Sequence, residues 1–367
     1  MAETLRQLEM EGIVSSVIAV DSVYHLRRKS SSSFPAEWRR YPKLPGNFGL
    51  SSAGRLLGAS LLKRIRLLHR RMPVNIIHAH AALPCGDAAA FLSRRLGIPF
   101  VVTIHGLDVF NACFETGIAA EWRRQASFSV YQKARAVICI SEKVKALLTG
   151  ESGESVKAEV VYNGTDTEMF HPPVSADGSS QEAAPTILIV GNLLAGKGHE
   201  LVLNAISKLK PSSRDPYPNL QCKIIGEGAD KNRFAALTTK LGIGEKVQFL
   251  GRRSRAEVAA EMRRCTLFAL PSRYEGLGCV YLEAMACGKP VIACRGQGID
   301  EVIADGKNGW LIPVDGLEEL VQALQLLLGN RELRDHIGWT ARKTILDGLT
   351  MSHQAQKLLK IYREAAR

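Results

Sequence analysis

The chain has 367 residues, of which 46% are apolar and 23% charged, and a formal net charge of +12. This length allows two domains of ordinary size, and this composition is that of a globular chain rather than a disordered or fibrous one. No apolar run is long enough to span a membrane, the first residues lack a secretory-signal pattern, and none of the eight cysteines forms a Cys-x-x-Cys pair or a metal-ligand spacing with His, so a disulfide scaffold and a zinc-binding module are excluded.

In chain order, residues 1–12 read as the end of a helix and Ile13–Val20 as a strand. Further strands are expected at Val74–Ala79, Pro99–His105, Ala136–Ile140 and Val160–Tyr162, with helices at Arg55–Arg71, Asp87–Leu96 and Glu121–Ala134. Residues 172–184 are polar, led by proline and rich in Gly and Ser, and read as a linker. The pattern then restarts with strands at Thr186–Val190, Gln221–Ile225, Lys246–Leu250, Thr266–Leu270, Pro290–Ala293 and Trp310–Ile312, and ends in a helical stretch, Ser352–Arg367. Short apolar runs alternating with helices predict parallel sheets covered on both faces. The fold expected is α/β, with two Rossmann-like doubly wound domains facing across a cleft and ligands at the carboxyl ends of the strands. The domains expected are 1–171 and 185–349, joined by the linker 172–184, with residues 350–367 crossing back to the first domain.

Charge is concentrated early. Between Arg27 and Arg71 there are twelve basic residues and one acidic residue, Glu37. Such a stretch attracts anionic surfaces. It has little aromatic interleaving and no nucleic-acid motif, which favours an anionic membrane surface over nucleic acid and leaves a merely solvated face as the alternative. Within it, Leu57, Leu61, Ile65 and Leu68 share one helical face, which can lie on lipid or pack on the domain's own sheet.

The most specific chemistry lies at Glu275 and Glu283, eight positions apart, where a strand end and a glycine-containing loop lead into a helix at about Cys279–Cys287. A loop at a helix start aims free backbone N–H groups and a positive dipole end at one point, which suits phosphate. With a carboxylate at each end of that cradle, the ligand expected is a nucleotide sugar.

The surrounding text, Pro271-Ser-Arg-Tyr-Glu-Gly-Leu-Gly through Leu-Glu-Ala-Met-Ala-Cys-Gly-Lys-Pro-Val-Ile-Ala, then Gly296-Gln-Gly-Ile-Asp-Glu-Val-Ile and Asp305-Gly-Lys-Asn-Gly-Trp, resembles the retaining glycosyltransferases of family 4 (glycosyl transferases group 1), which have the GT-B fold. The resemblance runs over nearly the whole chain. It implies that Glu275 contacts the donor sugar and helps stabilise the reacting centre, and that Glu283 grips the ribose hydroxyls. The N–H groups of Gly276, Leu277, Gly278, Cys279 and Val280 would hold the sugar and diphosphate. Lys197 matches the lysine that neutralises the diphosphate, and Asn192 stands where many members carry Arg. Gly251 and Arg252 would neighbour the base. The glycines of Ile225-Gly-Glu-Gly would serve either a close approach or a tight turn. In the first half, His105 matches a histidine near the donor sugar and the acceptor. Asp108 would orient it or touch the acceptor, and His80 of His78-Ala-His80 is an acceptor candidate or a structural residue. Asn163-Gly164 resembles a turn between the domains, with an architectural role.

The start of the chain departs from the family, whose members open with a strand and a Gly-rich loop before the helix seen here. That first strand is expected to be missing from the N-terminal sheet, as in a truncated reading of a longer protein. The function expected is metal-independent, cofactor-free retaining transfer of a sugar from a UDP- or GDP-sugar to a saccharide or lipid-linked saccharide, at the inner face of the cytoplasmic membrane. A catalytically silent nucleotide-sugar-binding relative is the alternative. An epimerase or phosphorylase, or a basic nucleic-acid-binding protein, fits the motifs less well.

Overall fold

The structure, a computed structural model, describes residues 2–22, 35–41, 50–106, 117–152, 156–173, 184–209, 217 and 219–367. They form two compact units, residues 1–162 with 352–367, and 163–351.

The first unit runs α1 (Ala2–Met10), β1 (Val17–Ser22), β2 (Ala36–Tyr41), α2 (Leu50–Arg71), β3 (Ile77–His80), a short turn at Ala82–Gly86, α3 (Asp87–Leu96), β4 (Phe100–Ile104), α4 (Ile118–Lys133), β5 (Ala136–Cys139), α5 (Glu142–Ser152) and β6 (Ala158–Val160). β3-β4-β5-β6 form one parallel sheet and β1-β2 a separate parallel pair. Every residue of β4 and β5 is buried, as expected of central parallel strands with both faces covered. On one side lie Leu8 of α1 and Ala355, Leu358, Leu359 and Ile361 of the C-terminal helix. On the other lie Leu57, Leu61 and Ile65 of α2 with Ala88 and Leu92 of α3. The apolar face of α2 therefore packs inward, and Ile18 and Val20 of β1 and Ile77 of β3 share that cluster.

β2 is an element the sequence did not announce. Three of its six residues are charged, and among the described residues it pairs only with β1, so its apolar signal is weak. β1 also begins later than expected, at Val17. Ile13 instead donates its N–H to Leu8 O at 2.9 Å, closing α1, and packs beside Leu8. Among the described residues β1 pairs only with β2 and β3 only with β4, so no strand joins the two sheets where the resemblance puts one. Much of the basic stretch, residues 27–34 and 42–49, lies outside the described residues, as does most of the expected linker, 174–183.

The second unit runs β7 (Thr186–Val190), α6 (His199–Lys208), β8 (Gln221–Ile225), α7 (Lys231–Lys240), β9 (Val247–Gly251), α8 (Arg255–Arg264), β10 (Leu267–Ala269), α9 (Cys279–Ala286), β11 (Val291–Cys294), β12 (Trp310–Ile312), α10 (Leu317–Gly329) and α11 (Arg331–Gly348). α12 (Met351–Ala365) follows and belongs to the first unit from Ser352 on. The sheet order is β12-β11-β10-β7-β8-β9, all parallel. The order reverses between β7 and β10, so the loops after those strands diverge and open a crevice at their carboxyl ends. Local sequence sets the helix starts: Ser254 and Glu257 form a reciprocal capping box at α8.

The boundary between units falls before Asn163 rather than at residue 172. Thr165 donates its N–H to Leu349 O at 2.8 Å and accepts the N–H of Met351 at 3.1 Å, tying this segment to the end of α11. Phe170 is fully buried, and the Arg263 guanidinium donates to Met169 O at 2.9 Å.

α10 is held by an apolar face of Leu320, Ala323, Leu324 and Leu327, all at most 1% exposed. Leu324→Ala would leave a cavity and is expected to cost about 2–5 kcal/mol, read by denaturant unfolding. An unchanged midpoint would show that this face is not part of the core.

Candidate functional site

Four strand ends of the second unit converge on a cavity of about 420 Å³. The loop after β7 contributes Gly191, Asn192 and Lys197, and that after β8 contributes Gly226 and Glu227. Arg252 and Arg253 follow β9, and Glu275, Gly278, Cys279 and Val280 follow β10. Val258 and Leu270 add apolar wall.

The loops lie close together because the backbone allows it. Gly226 has φ of +148°, and a Cβ there would fall 1.8 Å from Gly191 O, so only glycine permits this approach. The glycine of Ile225-Gly-Glu thus serves a close approach. Leu193 N–H donates to Glu227 O at 3.1 Å and Ala195 N–H to the Asp230 carboxylate at 2.5 Å, fixing the loop that carries Lys197. Beneath that loop His199 is fully buried and stacks on Phe234 with ring centroids 5.2 Å apart. Burial pushes its imidazole down to about 4, so it is a neutral filler there.

At the other wall, Gly278 caps α9 with φ of +80° and no side-chain cap. The first N–H groups of a helix have no intrahelical acceptor, so those of Cys279 and Val280 are presented to the cavity they line. The Lys197 ammonium sits 2.7 Å from a Glu275 carboxylate oxygen, with side chains 27% and 12% exposed. Glu275 is gripped through its backbone as well. Its N–H donates to Gln297 Oε1 at 3.0 Å, and its carbonyl accepts the N–H of Gly298 at 3.1 Å. Gln297, buried and 22 positions away, has no sequence signal that marks it for this role.

Glu283 lies inside α9 and is mostly buried. Arg255 Nη2 lies 3.4 Å from it and also covers the Phe170 ring at 5.4 Å. Burial raises the Glu283 carboxyl to about 7 despite the opposing pull of Arg255. The Asn163 amide donates to Cys279 Sγ at 3.3 Å, so this turn reaches the start of α9.

Of the residues singled out from sequence in this unit, Asn192, Lys197, Arg252, Glu275, Gly278, Cys279 and Val280 line the cavity. Gly251, Gly276, Leu277 and Glu283 are adjacent to its lining rather than in it. Arg253, Arg255, Glu227 and Gln297 were not picked out.

The first unit gathers a second group. His78 and His80 end β3, and His105 follows β4. His80 Nδ1 and His105 Nε2 are 2.9 Å apart, and their rings meet edge to edge and nearly coplanar, with centroids 5.1 Å apart. His78 stacks on His80 at 4.5 Å. Its two nitrogens meet Tyr362 Oη at 2.5 Å and Thr103 Oγ1 at 2.7 Å. Burial drives His78 down to about 4 and His80 lower still. Asp108 lies outside the described residues. Among the described residues, no cluster of three or more His, Cys, Asp or Glu is arranged to hold a metal ion, and no helix is long and apolar enough to cross a membrane.

Two family profiles match the chain: Glycosyltransferase Family 4 over residues 1–169 and Glycosyl transferases group 1 over residues 174–344. The alpha-D-kanosaminyltransferase of Streptomyces kanamyceticus is 30% identical, over 89% of this chain and 88% of its own. Among solved structures, the sucrose-phosphate synthase from Thermosynechococcus elongatus aligns with a TM-score of 0.76 at 20% identity, covering 98% of this chain and 92% of that one. Anabaena HepE, solved with UDP and glucose, aligns with a TM-score of 0.70 at 19% identity, covering 89% and 85%.

Burial of Glu283 has a pH consequence. Its carboxyl is raised from 4.5 to about 7 in the fold, so the folded state holds a proton that the unfolded chain releases. The stability this gives is fully present below pH 4.5 and is lost as pH rises through about 7. Urea unfolding at pH 5 and pH 8 is expected to show the unmodified chain losing up to about 3 kcal/mol that Glu283→Gln does not lose. Groups common to both proteins cancel in that comparison. Equal losses would refute the raised carboxyl.

Proposed function

The chain belongs to the family 4, group 1 glycosyltransferases, and from that premise we propose that it moves a sugar from a UDP- or GDP-sugar to a saccharide or lipid-linked saccharide, with retention of anomeric configuration. The observation that carries this reading is the Lys197–Glu275 pair, at 2.7 Å, beside the uncapped start of α9 in one cavity. That arrangement supplies one cation, a set of backbone donors and one carboxylate acceptor. A donor diphosphate suits the first two and sugar hydroxyls suit the third.

In the proposed reaction the bond between the anomeric carbon and the diphosphate oxygen breaks. The acceptor hydroxyl adds to the same face, and its proton passes to the leaving phosphate. Negative charge grows on the diphosphate, where Lys197 and the N–H groups of Cys279 and Val280 oppose it without a metal ion or cofactor. Glu275 orients the sugar, and its carboxylate faces the positive charge that develops at the anomeric carbon. Glu283 accepts from the ribose hydroxyls, and the cavity wall at Arg252, next to Gly251, meets the base. The structure of HepE with UDP and glucose supports a nucleotide-sugar ligand for this fold. His105 is assigned to the sugar and acceptor side of the reaction, with His80 beside it.

A nucleotide-sugar panel read by thermal shift, followed by transfer and donor-hydrolysis assays, tests this reading. One UDP- or GDP-sugar is expected to raise Tm, and Lys197→Ala is expected to lower turnover about hundredfold, the scale of losing one preorganised donor. Undiminished turnover in that variant, or no response to any nucleotide sugar, would overturn it.

The acceptor side is proposed to work at the cytoplasmic face of an anionic membrane. Support comes from the outer face of α2, where Lys63, Arg66, Leu67 and Arg70 are exposed while Leu57, Leu61 and Ile65 pack inward. In vesicle flotation, binding to anionic lipid is expected at low salt. It should weaken as salt rises and in the double variant Lys63→Glu, Arg66→Glu. Binding indifferent to salt and to these changes would count against it.

A further inference from the structure

The first unit contains a hydrogen-bonded stack of imidazoles that is more elaborate than a single functional histidine requires. Tyr362 and Thr103 each place a hydroxyl against one nitrogen of His78. With both nitrogens engaged, the ring plane of His78 is fixed. His80 lies against that plane at 4.5 Å with an interplanar angle of 23°. His105 meets the edge of His80 in nearly the same plane, with ring centroids 5.1 Å apart and an interplanar angle of 19°. One hydrogen bond links the last two rings, His80 Nδ1 to His105 Nε2 at 2.9 Å.

We propose that His80 is a positioning residue for His105, fixing both its ring plane and its tautomer through the in-plane Nδ1–Nε2 hydrogen bond. Two neutral imidazoles have four tautomer combinations. A single hydrogen bond between one nitrogen of each permits only those in which one of the facing nitrogens carries a proton and the other does not. Either His80 donates and the His105 proton sits on Nδ1, or His105 donates from Nε2 and the His80 proton sits on its own Nε2. Burial supports the neutral state of His78 and His80, and the protein crowded around His105 shifts it the same way. The tautomer decides whether a given edge of His105 offers a donor or an acceptor to whatever it meets. Tyr362 and Thr103 stand one step further back and hold the platform on which His80 rests.

The consequence for turnover rests on the reading of His105 as a group that serves sugar transfer; the tautomer coupling does not. The measurement is therefore made on nitrogens. In the full chain labelled with 15N-histidine, long-range 1H–15N spectra report the protonated nitrogen of each ring, with His105→Gln and His80→Phe assigning the signals. The expected result is complementary protonation, with a proton on one of His80 Nδ1 and His105 Nε2 and not on the other. In His80→Phe, which keeps an aromatic ring in the stack and removes the bond, His105 is expected to become a mixture of tautomers. Matching protonation at the two facing nitrogens of the unmodified chain would overturn the proposal without recourse to any variant. An unchanged His105 tautomer in His80→Phe would overturn it as well. In turnover, His80→Phe is expected to lower kcat about tenfold, short of the roughly 10²–10⁴-fold that a positioned proton-transfer group itself contributes, with KM for the nucleotide sugar unchanged. If the unmodified chain transfers no sugar while protonation proves complementary, the functional reading falls and the positioning role stands.

Discussion

The ion pair between Lys197 and Glu275 is the contact around which the second unit's site is organised. Each residue lies in a loop that follows a strand next to the reversal in sheet order, and a doubly wound sheet diverges at that point. Diverging loops need something to hold them together. Here the backbone does much of it: Arg273 N–H donates to Gly196 O at 2.8 Å, and the Ser272 hydroxyl donates to Lys197 O at 3.3 Å. The ion pair then closes the gap from the side-chain side. Both partners are less than a third exposed, so their attraction is screened less than that of a surface pair. Without a ligand, the ammonium and the carboxylate satisfy each other. An anion entering the cavity competes for the ammonium, and a hydroxyl competes for the carboxylate. The pair therefore keeps both groups oriented without spending them on a partner that cannot be exchanged.

The two units solve the problem of buried polar groups in opposite ways. The second keeps charge and balances it, with Lys197 against Glu275 and Arg255 beside Glu283. The first removes charge. Its stacked histidines are shifted toward neutrality by burial and satisfied by hydroxyls and by one another. These choices suit different tasks. A fixed charge stabilises a leaving anion without reorganising. A neutral imidazole can give or take a proton, provided that its tautomer is set.

Much of this was legible in the sequence, for reasons that particular elements make plain. Thr186–Val190, Gln221–Ile225 and Trp310–Ile312 fall at the bounds expected, because each carries buried apolar residues between polar or turn-forming flanks. β2 was invisible because a strand with one neighbour and three charges in six residues carries almost no such signal. The same division applies at the site. Lys197, Glu275 and the start of α9 are set by short-range sequence, a strand followed by a turn. Gln297 and Arg255 act through partners 22 and 28 positions away, and only the folded loops bring them into reach. The compact units divide before Asn163, earlier than the boundary expected at residue 172, for a related reason. Composition marks residues 172–184 as polar, but it cannot show that Thr165 is already hydrogen-bonded to the end of α11.

Glu283 shows how these constraints trade against one another. Its carboxyl is raised to about 7 even though a guanidinium lies 3.4 Å away, so desolvation outweighs the neighbouring cation. A carboxyl meant only to stabilise the fold would be better exposed or more tightly paired. One that must accept hydrogen bonds from a ligand's hydroxyls has to be ionised when the ligand arrives, and the ligand's donors then lower its pKa. If Glu283 grips ribose hydroxyls as proposed, binding draws on part of the cost already incurred by burying the group. Arg255 fits the same logic. Resting over Phe170, it is held by a ring as well as by the carboxylate, so it can keep its place as the carboxylate turns to a new partner. On the proposed reading, the arrangement gives up some stability at neutral pH for a carboxylate that is fully engaged only when the site is filled.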